Sequence, residues 1–222
     1  MERELGTYGV VLQHIKVKEG KIYLFLKRVI DIVGSLCGLI ILSPLFLIVG
    51  ILVKMEDPKG TILFGHKRVG RNGKLFSCWK FRSMFANAEQ MLEQLSPEQK
   101  KEYAETFKLQ NDPRVTKVGK FIRKTSLDEL PQLFNILKGE MTIVGPRPIV
   151  TKELDFYGDY QELYKSVKPG LTGLWQISGR SDTTYDERIA FDIEYITTRN
   201  IFKDIYILMK TLIKVLKRDG AY

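Results

Sequence analysis

The chain has 222 residues, 27% charged and 44% hydrophobic, and these proportions exclude a multi-span transporter and a disordered protein. Its formal net charge of +9 favours anionic partners: lipid headgroups, nucleotide phosphates or nucleic acid. The chain has two histidines, His14 and His66, which argue against a zinc site and a histidine-based triad. Its two cysteines, Cys37 and Cys78, argue against a disulfide framework. We therefore expect one domain or two small ones, with acid–base chemistry carried by carboxylates or lysine.

An uncharged apolar run, Ile32–Val53, follows a polar N-terminal segment that lacks the pattern of a cleaved signal peptide. The run has about 22 residues, or roughly 33 Å as a helix, enough to reach across a hydrocarbon core of about 30 Å. Ser43 and Pro44 interrupt it, and proline removes a backbone donor and kinks a helix. A re-entrant helical hairpin and a single kinked span explain these residues equally well. Basic residues lie on both sides of the run: Lys27, Arg28 and Lys54.

The next part of the chain predicts a β-hairpin and then helices. Thr61–Phe85 alternates as a hairpin does, with its turn at Gly70–Gly73. Ala86–Leu109 is typical of helix, interrupted at Ser96–Gln99 by a serine cap, a proline and a glutamine in capping-box order. We expect a mainly α fold with a small β-hairpin.

The last segment, Asp204–Lys217, predicts an amphipathic helix. Its apolar stripe includes Ile205, Leu208 and Leu212, and its lysines lie elsewhere on the helix. Such a helix either packs on the core or lies on anionic lipid.

Two adjacent acids, Asp128 and Glu129, lie at a predicted helix start. With Ser126, Glu129 matches the S-x-x-E capping pattern, and an acidic pair by itself is typical of helix capping. A helix N-terminus also offers free N–H groups to a phosphate. Because adjacent helical side chains point about 100° apart, one acid can face a phosphorus atom while its neighbour binds a metal.

Several basic residues accompany this acidic pair. Arg147 lies between two prolines, which restrict its backbone and suit it to phosphate recognition. A glycine-punctuated loop, Pro169–Arg180, could line a phosphate or a uracil ring, with Trp175 as an apolar wall. Lys80 and Arg82 form a further basic pair. Together with the apolar run, these features indicate Mg²⁺-assisted chemistry on a phosphorylated substrate.

With these motifs the chain closely resembles the bacterial sugar transferases of the monotopic, polyprenyl-phosphate phosphoglycosyl transferase type. The resemblance covers nearly the whole chain, from about Phe25 to Tyr222. It rests on the interrupted apolar helix and on five further segments in order: Lys67–Phe76, Lys80–Met84, Ser126–Leu133, Lys138–Pro148 and Lys168–Arg180.

The resemblance implies a membrane topology. Family members hold the Ser-Pro helix as a re-entrant hairpin with both ends on the cytoplasmic face of the bacterial membrane. We therefore expect an N-terminal tail over 1–24, a re-entrant helix–break–helix over 25–56, and a cytosolic catalytic domain over 57–222 with interfacial amphipathic helices.

The resemblance also implies a reaction. Family members transfer a sugar 1-phosphate, usually of a hexose such as glucose or galactose, from a UDP-sugar to undecaprenyl phosphate and release UMP. This is a first membrane step of polysaccharide or glycoconjugate synthesis, such as that of exopolysaccharide or capsule. Asp128 matches the family's nucleophile, and Glu129 matches the neighbour associated with Mg²⁺ and acid–base help, so both are expected metal ligands. The residues expected to hold phosphates or the nucleotide are Arg123, Arg147 and Arg180, with Lys80 and Arg82 as further candidates.

The expected partners are a UDP-sugar, undecaprenyl phosphate and membrane lipid, without nucleic acid; a homodimer is left open. One alternative is a membrane-attached glycosyltransferase that releases UDP, for which Asp192–Glu194 is a loose match to an Asp-x-Asp metal motif. Another is a non-catalytic basic membrane adaptor or nucleic-acid binder, motivated by the net charge, which would not need Asp128.

Overall fold

The computed structural model describes residues 20–106, 109, 112–179 and 183–217. Among these residues helices predominate, and the strands form two small two-stranded sheets. The predicted mainly α fold with a β-hairpin is therefore confirmed. The chain divides into two compact units. The larger unit contains 20–41, 65–79 and 132–217, and the smaller contains 42–64 and 80–131.

The apolar run is divided between two helices. Helix α1 spans Lys21–Ile41 and α2 spans Ser43–Glu56, with a bend of 62° between them. Pro44 lies in the first turn of α2, where its missing N–H leaves no helical hydrogen bond unmade. The interruption predicted from the sequence is thus confirmed, with the break itself at Leu42. No single helix in the described parts of the chain is long and apolar enough to cross a membrane, whereas this bent pair together meets that test of length and composition.

The β-hairpin and its turn form where the sequence predicts them. Strand β1 spans Leu63–Val69 and β2 spans Leu75–Phe81, and a short 3-10 turn joins them. Asn72 and Gly73 in that turn have φ of 58° and 72°, a left-handed conformation that asparagine and glycine adopt most readily.

The described part of the smaller unit contains α2, further helices and a buried apolar cluster. Its further helices are α3 (Ala88–Glu93), α4 (Pro97–Thr106) and α5 (Lys117–Lys124). Ser96 and Gln99 exchange side-chain-to-backbone hydrogen bonds of 3.2 Å, so the capping box predicted before α4 is confirmed. Its buried core consists of Val49, Val53, Phe81 and Ile122.

In the residues that the structure describes, the larger unit combines α1 with a second sheet and further helices. Strand β3 (Thr142–Val144) pairs in parallel with β4 (Gly170–Thr172), and this sheet was not predicted. The helices are α6 (Gln132–Lys138), α7 (Thr151–Leu154), α8 (Gln161–Lys165), α9 (Leu174–Ser178), α10 (Tyr185–Thr198) and α11 (Ile201–Lys217).

Polar side chains on one side of α1 fix this helix within the larger unit. Lys27 Nζ donates to Asp204 Oδ2 at 2.7 Å, and Arg28 donates to two carbonyl groups at the end of α6. Asp31, which is buried, accepts from the backbone N–H of Ile143 at 2.8 Å. The basic residues that precede the apolar run therefore bind protein groups.

Helix α11 extends the predicted C-terminal helix by three residues and presents two different faces. Its packed face contains Asp204 and Ile207, both buried, and Thr211, whose hydroxyl bonds Thr172 at 2.7 Å. The predicted stripe is largely exposed, since Ile205 and Leu212 keep about half of their surface. Other exposed apolar side chains on this helix are Phe202, Tyr206, Met209, Ile213 and Val215.

Candidate active site

Asp128 and Glu129 lie on a tight turn in the smaller unit. The preceding helix α5 is fixed at its start, where Thr116 Oγ1 accepts from the N–H of Gly119 at 2.8 Å. After α5, Ser126 adopts a left-handed conformation with φ of 57°, and Leu127–Glu129 forms one 3-10 turn. Ser126 makes no side-chain capping hydrogen bond there. The capping box predicted for Ser126 and Glu129 is therefore wrong, because the left-handed backbone does not have N-cap geometry.

A lysine from the hairpin bridges the two acids. Lys80 Nζ lies 2.6 Å from Glu129 Oε1 and 3.9 Å from Asp128 Oδ2. Asp128 itself is 8% exposed. Burial raises the pKa of Asp128 to about 6, and Lys80 opposes that rise while the Glu129 carboxylate adds to it. Asp128 is thus a buried carboxylate that is largely ionised at neutral pH.

Arg123, in the last turn of α5, is held near these acids by a serine. Its Nε donates to Ser83 Oγ at 2.8 Å. Burial lowers the pKa of Arg123, and the nearby carboxylates of Asp128 and Asp112 counter that effect. A guanidinium next to a buried carboxylate can offset the charge of a bound phosphate.

Arg82, by contrast, is buried among groups of the protein. Its guanidinium bonds the Asp57 carboxylate and donates to the carbonyls of Asp57 at 2.7 Å and Thr61 at 2.5 Å. Asp57 is the C-cap residue of α2, so Arg82 is fixed at the C-terminal end of this helix. The hydrogen bonds described for Arg82 serve the fold, and its role toward a substrate phosphate stays a prediction.

The chemistry of the acidic pair suits Mg²⁺. Asp128 and Glu129 offer carboxylates that are adjacent in sequence, and both pair with one cation, the ammonium of Lys80. Among the described residues no cluster of three or more histidine, cysteine, aspartate or glutamate side chains could hold a metal ion. Mg²⁺ typically uses one or two carboxylates and fills its coordination shell with water and substrate phosphates, so the pair fits this ion.

In the larger unit, Arg147 lies on an aromatic ring. Its guanidinium carbon is 5.1 Å from the centre of the Trp175 ring, and that of Arg188 is 5.0 Å from the same ring. Trp175 Nε1 donates to Thr183 Oγ1 at 2.7 Å, which fixes the indole. Arg147, Arg188, Trp175 and Tyr185 line a small pocket, to which the acids Glu153 and Asp192 also contribute. Two guanidiniums on one indole are chemically suited to an anion that carries a planar group.

The sequence indicates Arg147 and Trp175 as candidates but not Arg188, which the structure places on the same ring. Arg188 lies on α10, three residues after Tyr185, and a single basic side chain on a helix is a weak sequence signal. The segment before this helix was predicted as a glycine-punctuated loop, but it contains β4 and α9. Arg180, a predicted phosphate ligand, lies outside the described residues.

The loose Asp-x-Asp match does not form a paired site. Asp192 is buried and accepts from Tyr157 Oη at 2.7 Å. Glu194 is exposed and bonds Lys203 Nζ at 2.8 Å. Since the two acids have separate partners, this segment gives no support to the glycosyltransferase alternative.

Comparison with known proteins identifies the family. The profile of the family described as bacterial sugar transferase matches residues 22–218. The chain belongs to the bacterial sugar transferase family. The family predicted from the sequence is thus confirmed.

Three similar proteins illustrate the range of this bacterial sugar transferase family. The undecaprenyl-phosphate galactose phosphotransferase of Salmonella typhimurium is 54% identical over 201 residues, which are 89% of this chain and 42% of that protein. The exopolysaccharide production protein ExoY of Rhizobium meliloti is 47% identical over 88% of both chains. The UDP-glucose:undecaprenyl-phosphate glucose-1-phosphate transferase of Escherichia coli is 40% identical over 89% of this chain and 41% of its own. The chain therefore spans about two-fifths of two of these relatives and most of ExoY.

Proposed function

We propose that this bacterial sugar transferase moves a sugar 1-phosphate from a UDP-sugar, UDP-galactose or UDP-glucose, to undecaprenyl phosphate and releases UMP. The observation that carries the proposal is the buried Asp128 carboxylate beside Lys80 and Arg123. The names of the Salmonella and Escherichia coli relatives support the acceptor and the two sugars. The name of ExoY supports a role in exopolysaccharide production.

The chemistry proceeds in two displacements at one phosphorus atom. An Asp128 carboxylate oxygen attacks the phosphorus that bears the sugar, and the bond from that phosphorus to the bridging oxygen breaks as UMP leaves. A phosphate oxygen of undecaprenyl phosphate then attacks the same phosphorus and releases the Asp128 carboxylate. Covalent catalysis divides a difficult transfer between anions into two easier steps.

The neighbours of Asp128 lower the electrostatic barrier to this attack. Lys80 and Arg123 offset the negative charge that a diphosphate brings to the carboxylates. Glu129, which is more exposed than Asp128, is placed to hold a proton or to share a cation with it. Mg²⁺ bound by Asp128 and Glu129 would neutralise further phosphate charge. Arg147, Arg188 and Trp175 form a second recognition site suited to the nucleotide.

The reaction is tested by identifying the nucleotide that the purified protein releases from each UDP-sugar with undecaprenyl phosphate and Mg²⁺. We expect UMP with UDP-galactose or UDP-glucose, whereas UDP would mean transfer of the sugar alone. Without undecaprenyl phosphate, mass spectrometry should find a hexose phosphate on the peptide that contains Asp128. Asp128→Asn is the matched control and should carry no such adduct.

We also propose that α1 and α2 enter the cytoplasmic membrane as a re-entrant hairpin with both ends on the cytoplasmic face. The bend of 62° and the proline at the start of α2 support this arrangement. The residues that flank the break are apolar and exposed: Ile40, Ile41, Leu47 and Ile48. We expect them to face acyl chains, and the exposed apolar face of α11 to lie at the lipid interface.

Replacing Pro44 tests this topology. Pro44→Ala restores a backbone N–H and allows one continuous helix long enough to cross the bilayer. In a protein without native cysteines, Gly20→Cys should resist a membrane-impermeant maleimide in intact spheroplasts and become labelled in part when Pro44→Ala is added. Leu45→Ala is the matched control, and external labelling with Pro44 in place would contradict the re-entrant arrangement.

A further inference from the structure

Hydrogen bonds fix the main chain before and after the Arg147 side chain. Because residues 146 and 148 are prolines, the N–H of Arg147 is the single backbone donor of this tripeptide. It donates to Asp192 Oδ1 at 3.4 Å, and the Arg147 carbonyl accepts from Tyr164 Oη at 2.8 Å. Just before it, the Pro146 carbonyl accepts from the N–H of Gly170 at 2.8 Å. Both peptide groups that flank the Arg147 side chain therefore have fixed partners.

The groups that hold Arg147 form a buried polar cluster. Asp192 Oδ2 accepts from Tyr157 Oη at 2.7 Å, and Tyr164 Oη also accepts from the N–H of Ile149 at 3.3 Å. The rings of Tyr157 and Tyr164 pack with their centres 4.9 Å apart. All three side chains are at most 3% exposed. Burying an aspartate and two hydroxyls is costly unless their hydrogen bonds are made, and apolar residues would fill the same space without that cost.

We propose that Asp192, Tyr157 and Tyr164 are positioning residues that fix the backbone of Arg147, and thereby aim its guanidinium at the phosphate groups of a uridine nucleotide. The inference rests on the proposed function, since it takes Arg147 as a nucleotide ligand. The side chain of Arg147 extends from this fixed backbone onto the Trp175 ring, which also carries Arg188. Fixing the backbone reduces the conformational entropy that Arg147 loses when an anion binds.

A double-mutant cycle tests the inference with UDP as the probe, measured by equilibrium binding to the full chain in detergent. Asp192→Ala should weaken UDP binding about tenfold when Arg147 is present and less than about twofold in an Arg147→Ala background. Asp192→Asn should restore most of the affinity, because its amide can still accept from Arg147 and donate to Tyr157. An equal effect of Asp192→Ala in both backgrounds, or no effect with Arg147 present, would overturn the inference.

Tyrosine variants keep the test decisive if Asp192→Ala does not fold. Tyr164→Phe removes one hydrogen bond to Arg147 and keeps the ring, so it should weaken UDP binding in the same Arg147-dependent way. Tyr160→Phe removes a hydroxyl from another ring of the same apolar cluster and should leave the affinity within about twofold. Equal losses in the two tyrosine variants would overturn the inference.

Binding and turnover separate this inference from the proposed function. A protein that binds UDP but releases no UMP from UDP-sugars contradicts the proposed reaction, while the cycle still decides the role of Asp192. A protein that does not bind UDP at all overturns the inference, because Arg147 would then have no nucleotide to orient.

Discussion

Asp128 in the smaller unit and Asp192 in the larger unit are both buried aspartates, and their surroundings give them different properties. Burial is the main cause of a raised pKa in each, to about 6 for Asp128 and about 7 for Asp192. Asp128 faces charged groups, Lys80 and Arg123, that oppose protonation. Asp192 accepts from a neutral hydroxyl and a backbone N–H, and the charge of Arg147 also opposes its protonation.

The two surroundings fit the two roles proposed here, Asp128 as nucleophile and Asp192 as a positioning residue. Lys80 ends in a flexible, partly exposed ammonium that can move when a substrate or a cation arrives. Tyr157 is a buried ring whose hydroxyl donates to Asp192 at 2.7 Å. A raised pKa alone therefore does not distinguish the proposed nucleophile from the other buried aspartate, and the groups around each carboxylate have to be compared.

The largest expected effect follows from changing each aspartate to asparagine. Asp128→Asn removes the proposed nucleophile and should lower UMP release by on the order of 10³-fold or more. Asp192→Asn keeps the hydrogen bonds to Tyr157 and Arg147, and should lower it less than about tenfold. Both variants should remain bound to membranes. Near-normal turnover by Asp128→Asn would contradict its assignment.

Removing the charge of Lys80 should have the next largest effect. Lys80 lowers the pKa of Asp128, so Lys80→Met should raise that pKa and move the acidic limb of the pH–rate profile to higher pH. At neutral pH we expect a loss of about tenfold or more, because less Asp128 is ionised and less phosphate charge is offset. Lys80→Arg keeps the charge and serves as control. An unchanged acidic limb in Lys80→Met would show that Lys80 does not set the ionisation of Asp128.

The sequence signals that proved reliable are local ones. Pro44 cannot continue a helix, Asn72 and Gly73 favour a left-handed turn, and Ser96 with Gln99 forms a capping box. Each of these outcomes depends on a few neighbouring residues, so the break, the hairpin and the start of α4 could be predicted.

The features that escaped prediction depend on distant parts of the chain. Ser126 and Glu129 match the sequence pattern of a capping box, but Glu129 accepts from Lys80, which lies 49 positions away in sequence. Asp192 was considered only as a metal ligand, because its burial beside Tyr157 is set by the packing of α10. Spacing alone does not reveal such partners.

The pH dependence of stability should distinguish the two aspartates further. Because burial raises the folded-state pKa of Asp192 to about 7 from 3.8, folding favours its protonated form. This contribution to stability is fully present below about pH 4 and is lost as pH rises toward 7. The asparagine in Asp192→Asn cannot ionise, so this variant does not lose stability in that way as pH rises. The difference in unfolding free energy between the variant and the wild type should therefore shift by about 1–3 kcal/mol in favour of the variant from pH 5 to pH 8. Unfolding in detergent at both pH values measures this, and a constant difference would contradict it.

The smallest expected effect comes from the hydroxyl that bonds Asp192. This hydrogen bond lowers the pKa of Asp192 against the effect of burial, so Tyr157→Phe should raise that pKa further. A carboxylate needs the donor more than a carboxylic acid does, and the variant should lose about 1–2 kcal/mol of stability at pH 8 and less at pH 5. Tyr160→Phe should show no such pH dependence. An equal loss at both pH values would mean that Tyr157 stabilises the larger unit through ring packing alone, and that its hydroxyl does not influence the ionisation of Asp192.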